Sequence, residues 1–127
     1  MRRRAIGSLL LTFGLLLLGG TVAGTVAGGG CHAAPAQPSD ETSSVVRIQA
    51  CAFGPTVTHV PIGTTVTFAN VDRVAHNVVG MSWGDSSDLM PGESTRHAFG
   101  TAGIFPYSCS FHPGMNGAVV VGAVIYG

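Results

Sequence analysis

The sequence contains no lysine, and only 9% of its 127 residues are charged. Three of the six arginines, Arg2, Arg3 and Arg4, sit at the extreme N-terminus. Beyond them Arg47, Arg73 and Arg96 stand against Asp40, Glu41, Asp72, Asp85, Asp88 and Glu93, a net charge of −3. A mildly acidic chain with no basic patch lacks the electrostatic footprint of a nucleic-acid binder, so no nucleic-acid partner is expected. Cysteine is scarce as well, with three residues at positions 31, 51 and 109. Zinc favours four strong ligands drawn from several Cys and His residues, and cysteines so dispersed do not make a Cys-rich zinc site. Long apolar runs are confined to the N-terminus, and after residue 44 no stretch sustains apolar residues at helical spacing.

What is present begins with an export signal. Residues 1–30 run from a cationic patch, Met1-Arg2-Arg3-Arg4, into a long apolar and then glycine-rich stretch. A transmembrane anchor competes with this reading, because the run approaches the ~20 residues needed to span a bilayer. The glycines from Gly19 onward weaken it as a membrane helix. Ala34-Pro35-Ala36 has the small-x-small pattern of a cleavage site. Cys31, after Gly28-Gly29-Gly30, is alternatively the lipid-bearing first residue of a lipoprotein, although the usual aliphatic residue three positions earlier is missing. Arg2-Arg3-Arg4 also allows twin-arginine export. The chain is therefore expected in the periplasm or outside the cell, either free or held to a membrane through its N-terminus. Residues 31–44, rich in Pro, Ser and Ala, read as a flexible spacer, which leaves 45–127 as the folded domain.

Within that domain short β-branched segments alternate with glycine and proline. In 64–70, Val66 and Phe68 alternate with Thr65, Thr67 and Ala69, the period of a half-buried strand. Pro61-Ile62-Gly63 and Pro91-Gly92-Glu93 are turn signals, proline presetting φ and glycine accepting positive φ. About seven strands without an intervening helix predict an all-β fold, an antiparallel Greek-key sandwich or barrel. The last strand is apolar at nearly every position and is expected inside a sheet rather than at its edge.

One loop carries the chemistry. In 107–117, Cys109, His112 and Met115 follow one another at three-residue intervals among Pro113, Gly114 and Gly117. Thiolate, imidazole and thioether form a soft donor set suited to copper, above all Cu(I). One loop cannot surround a metal, so a further ligand must come from another strand, from His59, His76 or His97. His76 is the best placed, at the start of a strand after a turn. His59 faces away from Val60 and the core by alternation. His97 shares parity with Phe99, and both read as ordinary strand histidines. Two histidines and a thiolate with a weak, long thioether describe a blue-copper electron-transfer site.

The segments 68–80 and 103–121 resemble the two halves of the copper site of a cupredoxin, specifically the plastocyanin and amicyanin group. The His76-Asn77-Val78-Val79 string is similar to plastocyanin, and the Cys-x-x-His-x-x-Met loop to the short form in amicyanin. The resemblance spans about residues 45–125. It implies that His76, Cys109, His112 and Met115 bind one copper ion. It further implies that Asn77 bonds across to the loop near Ser110, an outer contact of the kind that orients ligands. Tyr107 and Phe105 are expected to pack the core rather than relay electrons, and Asn70 to be a turn residue. Cys51 departs from the family pattern. It is either a small buried hydrophobe or, in an oxidising compartment, a disulfide partner of Cys31. As a residue of the first strand it is expected to lie away from the ligand loop.

The function expected on these grounds is one-electron transport rather than catalysis. Redox partners, a cytochrome, an oxidase or a reductase, are expected to dock weakly and transiently on a monomer. A copper storage or delivery protein using the same site is the alternative. A binuclear copper centre needs a second cysteine where Ser108 and Ser110 stand.

Overall fold

A computed structural model describes Cys31 and residues 38–123. The expected export signal, residues 1–30, lies outside the described residues, as does 124–127. Among the described residues ten strands form two sheets: β1 (Asp40–Thr42), β2 (Val45–Gln49), β3 (Ala52–Gly54), β4 (Val57–Val60), β5 (Thr64–Asn70), β6 (Val79–Gly80), β7 (Gly84–Asp85), β8 (Ser94–Phe99), β9 (Gly103–Ser108) and β10 (Asn116–Val121). One sheet runs β1-β4-β10-β9-β6-β7 and the other β3-β2-β5-β8.

The alternation read from the sequence builds the core. In β2, Val46 and Ile48 are fully buried while Val45, Arg47 and Gln49 face solvent. In β5, Val66, Phe68 and Asn70 point inward. Facing them from the larger sheet are Tyr107, Val119 and Val121, all buried. The Tyr107 ring meets Phe53 and Phe68 edge-on, with centroids 4.8 and 5.0 Å apart, an arrangement favoured by the ring quadrupoles. Gly117, paired with Tyr107 across β9 and β10, makes room for it. A Cβ there would come within 2.5 Å of the tyrosine Cζ and Oη.

β10 lies between β4 and β9, inside its sheet as its apolar sequence predicts. Three expectations need correction. The sheets are mixed, because β1 and β10 both pair parallel with β4, and β2 pairs parallel with β5. Alternation marks a strand's faces but carries no information about the direction of its neighbour. The segment 45–53 is two strands, β2 and β3, broken by Ala50 and Cys51 in the left-handed region at φ 50° and 57°. Finally, the expected spacer 31–44 contains β1, whose backbone pairs with β4, and Cys31, which is bonded to Cys51. The folded domain thus begins earlier than its apolar pattern does, since β1 is exposed at every residue and held by its backbone.

Candidate metal centre

Two loops meet to form the site, one following β5 and the other joining β9 to β10. Asn70, 1% exposed, shapes the first. Its Nδ2 donates to the carbonyls of Val74 and Leu89 at 2.9 and 2.8 Å, and its Oδ1 accepts the Asp72 N–H at 3.0 Å. The loop so folded delivers His76, whose N–H and C=O both bond to Leu89 at 3.0 and 2.7 Å. His76 is therefore fixed by an isolated bridge rather than by a full strand. In the second loop, the Cys109 N–H donates to the Met115 carbonyl at 3.0 Å and the Met115 N–H to the His112 carbonyl at 3.2 Å. These two bonds close the loop on itself.

The result is a compact donor set. Cys109 Sγ lies 3.7 Å from Nδ1 of His76 and 3.7 Å from Nδ1 of His112. The two imidazole rings are 4.8 Å apart. His76 is 0%, Met115 4% and Cys109 5% exposed, and Cys109 is a free thiol, whereas His112 is only half-buried. Two imidazole nitrogens converging on one unpaired thiol, with a buried thioether from the same loop, fit a soft metal such as copper. Asn77 joins the two loops: its Nδ2 donates to Ser110 Oγ at 2.8 Å, and its Oδ1 accepts the Ser110 N–H at 2.9 Å.

The other two described histidines lie elsewhere. His59 pairs with Asp40 at 2.7 Å, and His97 packs on Trp83 and Phe99 with centroids 4.6 and 4.7 Å apart. Tyr107 and Phe105 pack in or against the core. The Tyr107 hydroxyl is buried without a hydrogen-bond partner, and burial pushes its pKa well above the usual tyrosine value. With no base to take its proton, that hydroxyl is poorly suited to a redox relay.

Asp72 is a residue the sequence reading passed over. Its Oδ2 lies 3.1 Å from His76 Nε2 and accepts the Cys51 N–H at 2.9 Å. An ionised carboxylate there makes Nε2 the protonated nitrogen and leaves the Nδ1 lone pair facing Cys109. Burial raises the Asp72 pKa, but hydrogen bonds from the Cys51 and Arg73 N–H groups and from His76 outweigh it, so the carboxyl sits below its ordinary value. The Asp-x-x-x-His spacing was the available signal. The His112 pKa is also lowered, by desolvation first and then by His76, with Asp72 opposing.

Cys51 is neither a lone hydrophobe nor remote from the site. It forms a disulfide with Cys31, which is incompatible with a lipid on the Cys31 sulfur and corrects that expectation. Its position corrects a second one: donor atoms of Cys31, His76 and His112 lie within 4.8 Å of one another, as do those of Cys51, Asp72 and His76. The turn between β2 and β3 brings Cys51 against His76, a displacement that strand parity cannot reveal.

The fold is matched by known proteins. A purple cupredoxin from Nitrosopumilus maritimus is 30% identical, with a TM-score of 0.60 over 63% of this chain and 100% of that one. Amicyanin in its oxidised state, as a variant, is 30% identical, with a TM-score of 0.59 over 61% of this chain and 80% of that one. A copper-containing nitrite reductase from Thermus scotoductus is 28% identical, with a TM-score of 0.58, but only 23% of its length is covered. Comparison with curated proteins returned no significant match. The cupredoxin-like domain family matches residues 21–121, which include every residue of the site just described. The chain belongs to the cupredoxin-like family.

Proposed function

We propose that the protein is an exported one-electron carrier that holds a single copper ion between His76 Nδ1, Cys109 Sγ, His112 Nδ1 and the weaker Met115. The observation that carries this reading is the approach of one free thiol to two imidazole Nδ1 atoms at 3.7 Å each. Copper bound there supplies a Cu(II)/Cu(I) couple. The chain's own residues do the rest. Buried His76, Cys109 and Met115 exclude water, Asp72 orients His76, and the Asn77–Ser110 pair holds the two ligand loops in register.

Half-buried His112, beside Phe111 at 44% exposure, gives a partner a small apolar contact at the edge of the site. Such a patch suits weak, short-lived docking of a cytochrome, an oxidase or a reductase on a monomeric carrier. Export is supported by the cationic-apolar N-terminus and by the disulfide, a bond that persists in oxidising compartments. Storage or delivery is disfavoured by the burial of three of the four donors, because a metal to be handed on needs access. Catalysis of the reductase kind is disfavoured too. Among the described residues, both further donor groupings share His76 with this site and provide no separate second centre.

The test is addition of Cu(II) to the full chain, followed by visible and EPR spectroscopy. An intense blue thiolate-to-copper band with narrow hyperfine splitting is expected, and a pale tetragonal spectrum would favour storage. Cys109→Ser should lose the band with its far-ultraviolet circular dichroism unchanged. A blue complex surviving in that variant would assign the thiolate to another cysteine.

A further inference from the structure

The backbone turn beside His76 has unusual geometry. Ala50 and Cys51 are consecutive non-glycine residues in the left-handed region. L-residues adopt that conformation at a cost, and it persists where the surroundings over-determine it. Here the surrounding constraint is the bond to Cys31, twenty positions earlier in the chain. The turn aims the Cys51 N–H at Asp72 Oδ2, 2.9 Å away, the same oxygen that lies 3.1 Å from His76 Nε2. One carboxylate oxygen thus serves two donors, one from the disulfide turn and one from the histidine. The disulfide also lies against the pair of rings, the Cys31 sulfur being within 4.8 Å of a nitrogen of each.

We infer that the Cys31–Cys51 disulfide is a redox-sensitive clamp that positions Asp72 on His76 and so sets the reduction potential of the copper site. The inference rests on His76 being a copper ligand. With the clamp closed, the carboxylate draws on the Nε2 proton, makes the imidazole a stronger donor and favours Cu(II) over Cu(I). A dithiol reductant opens it by thiol–disulfide exchange. One reductant thiolate attacks a sulfur of the pair, and its second thiol resolves the mixed disulfide. Cys31 and Cys51 leave as thiols and the reductant as a disulfide, so two electrons and two protons are transferred. Once unbonded, Cys51 can leave the left-handed region and take its N–H off Asp72. Asp72, partly exposed at the surface of the loop, then has water as a competing partner. Asp72 and Cys51 are positioning residues in this scheme, and neither touches the metal.

The experiment compares the full chain with its disulfide intact and reduced, together with Asp72→Asn, the double variant Cys31→Ser/Cys51→Ser, and the triple variant. Outer-contact losses of this kind change metal affinity by 10–100-fold. Asp72→Asn is expected to lower the Cu(II):Cu(I) affinity ratio about tenfold, a rise of ~59 mV for a one-electron couple. The cysteine double variant should move the potential in the same direction. The triple variant should move it no further than Asp72→Asn alone, because the two changes act through one contact.

In the metal-free protein, NMR should show the His76 Nε2 proton protected while the disulfide is intact and exchanging at least tenfold faster after reduction. An unchanged potential and unchanged exchange on opening the bond would overturn the clamp. So would additive shifts in the triple variant, which would give the disulfide a route independent of Asp72. If the wild-type protein forms no blue complex, the copper reading fails, and the metal-free exchange measurement still decides whether the clamp exists.

Discussion

Replacing Asn77 with alanine removes two hydrogen bonds that tie the two ligand loops together. Both are short, 2.8 Å from Asn77 Nδ2 to Ser110 Oγ and 2.9 Å from the Ser110 N–H to Asn77 Oδ1. At a net ~1 kcal/mol each, the pair contributes about 2 kcal/mol. Ser110 is exposed, so water can re-partner its N–H and hydroxyl, while Asn77 is 8% exposed and leaves a small void. We therefore expect Asn77→Ala to cost about 1–2 kcal/mol in the metal-free protein, read by urea denaturation. For a domain of this size that corresponds to a melting temperature lower by roughly 4–16 °C. The loosened loop should also bind copper 10–100-fold more weakly, measured by competition with a chelator. Asn77→Asp keeps an acceptor for the Ser110 N–H and should recover about half of the stability by the same count. Stability within about 0.5 kcal/mol of wild type, with unchanged affinity, would refute the view that this contact holds the site together.

Met115→Leu should still bind copper and stay coloured, with a raised reduction potential by voltammetry, since a weak axial thioether tunes the couple rather than anchoring the ion. Complete loss of copper would make Met115 a strong ligand. The lowered His112 pKa has a definite consequence for the metal-free protein. The unfolded chain takes up this proton near pH ~6.5 and the folded one only below that. The His112 contribution is therefore complete above pH ~6.5 and lost as the pH falls toward the folded value. Asp72, also lowered, adds a second loss as the pH falls through and below the ordinary carboxylate range. Urea midpoints that rise on going from pH 7.5 to 5.5 would contradict this sign. Tyr107→Phe should stabilise the protein by about 1 kcal/mol, because it deletes a buried hydroxyl without a partner and keeps the ring contacts. A loss of that size would reveal a hydrogen bond to the hydroxyl.

Much of this molecule could be read from short-range pattern. The inward residues Val66 and Phe68 were legible because a strand's side chains alternate whatever it pairs with. The turn at Pro61-Ile62-Gly63 was legible because Gly63, at φ 87°, supplies a backbone conformation that glycine adopts without penalty. Cys109, His112 and Met115 announced soft-metal chemistry by their spacing in one loop, since their mutual distances are limited by a few residues of chain. Strand direction was not legible: β10 lies parallel to β4 because the chain crosses between sheets, and neither strand's residues encode that choice.

His76 could be nominated from its place after a turn and from its likeness to relatives. Only the tertiary structure carries it across 33 residues to within 3.7 Å of the Cys109 sulfur. The environment behind it was hidden more deeply. Asp72 read as one acidic residue among six, and Cys51 as an anomaly on a strand facing elsewhere. The left-handed turn at Ala50–Cys51 and the bond to Cys31 bring both against the histidine. Residue types and local spacing determined what chemistry this chain can offer, because those depend on neighbours along the backbone. Which distant groups surround that chemistry was decided by the packing of two sheets and one cross-link, contacts between residues far apart in the chain.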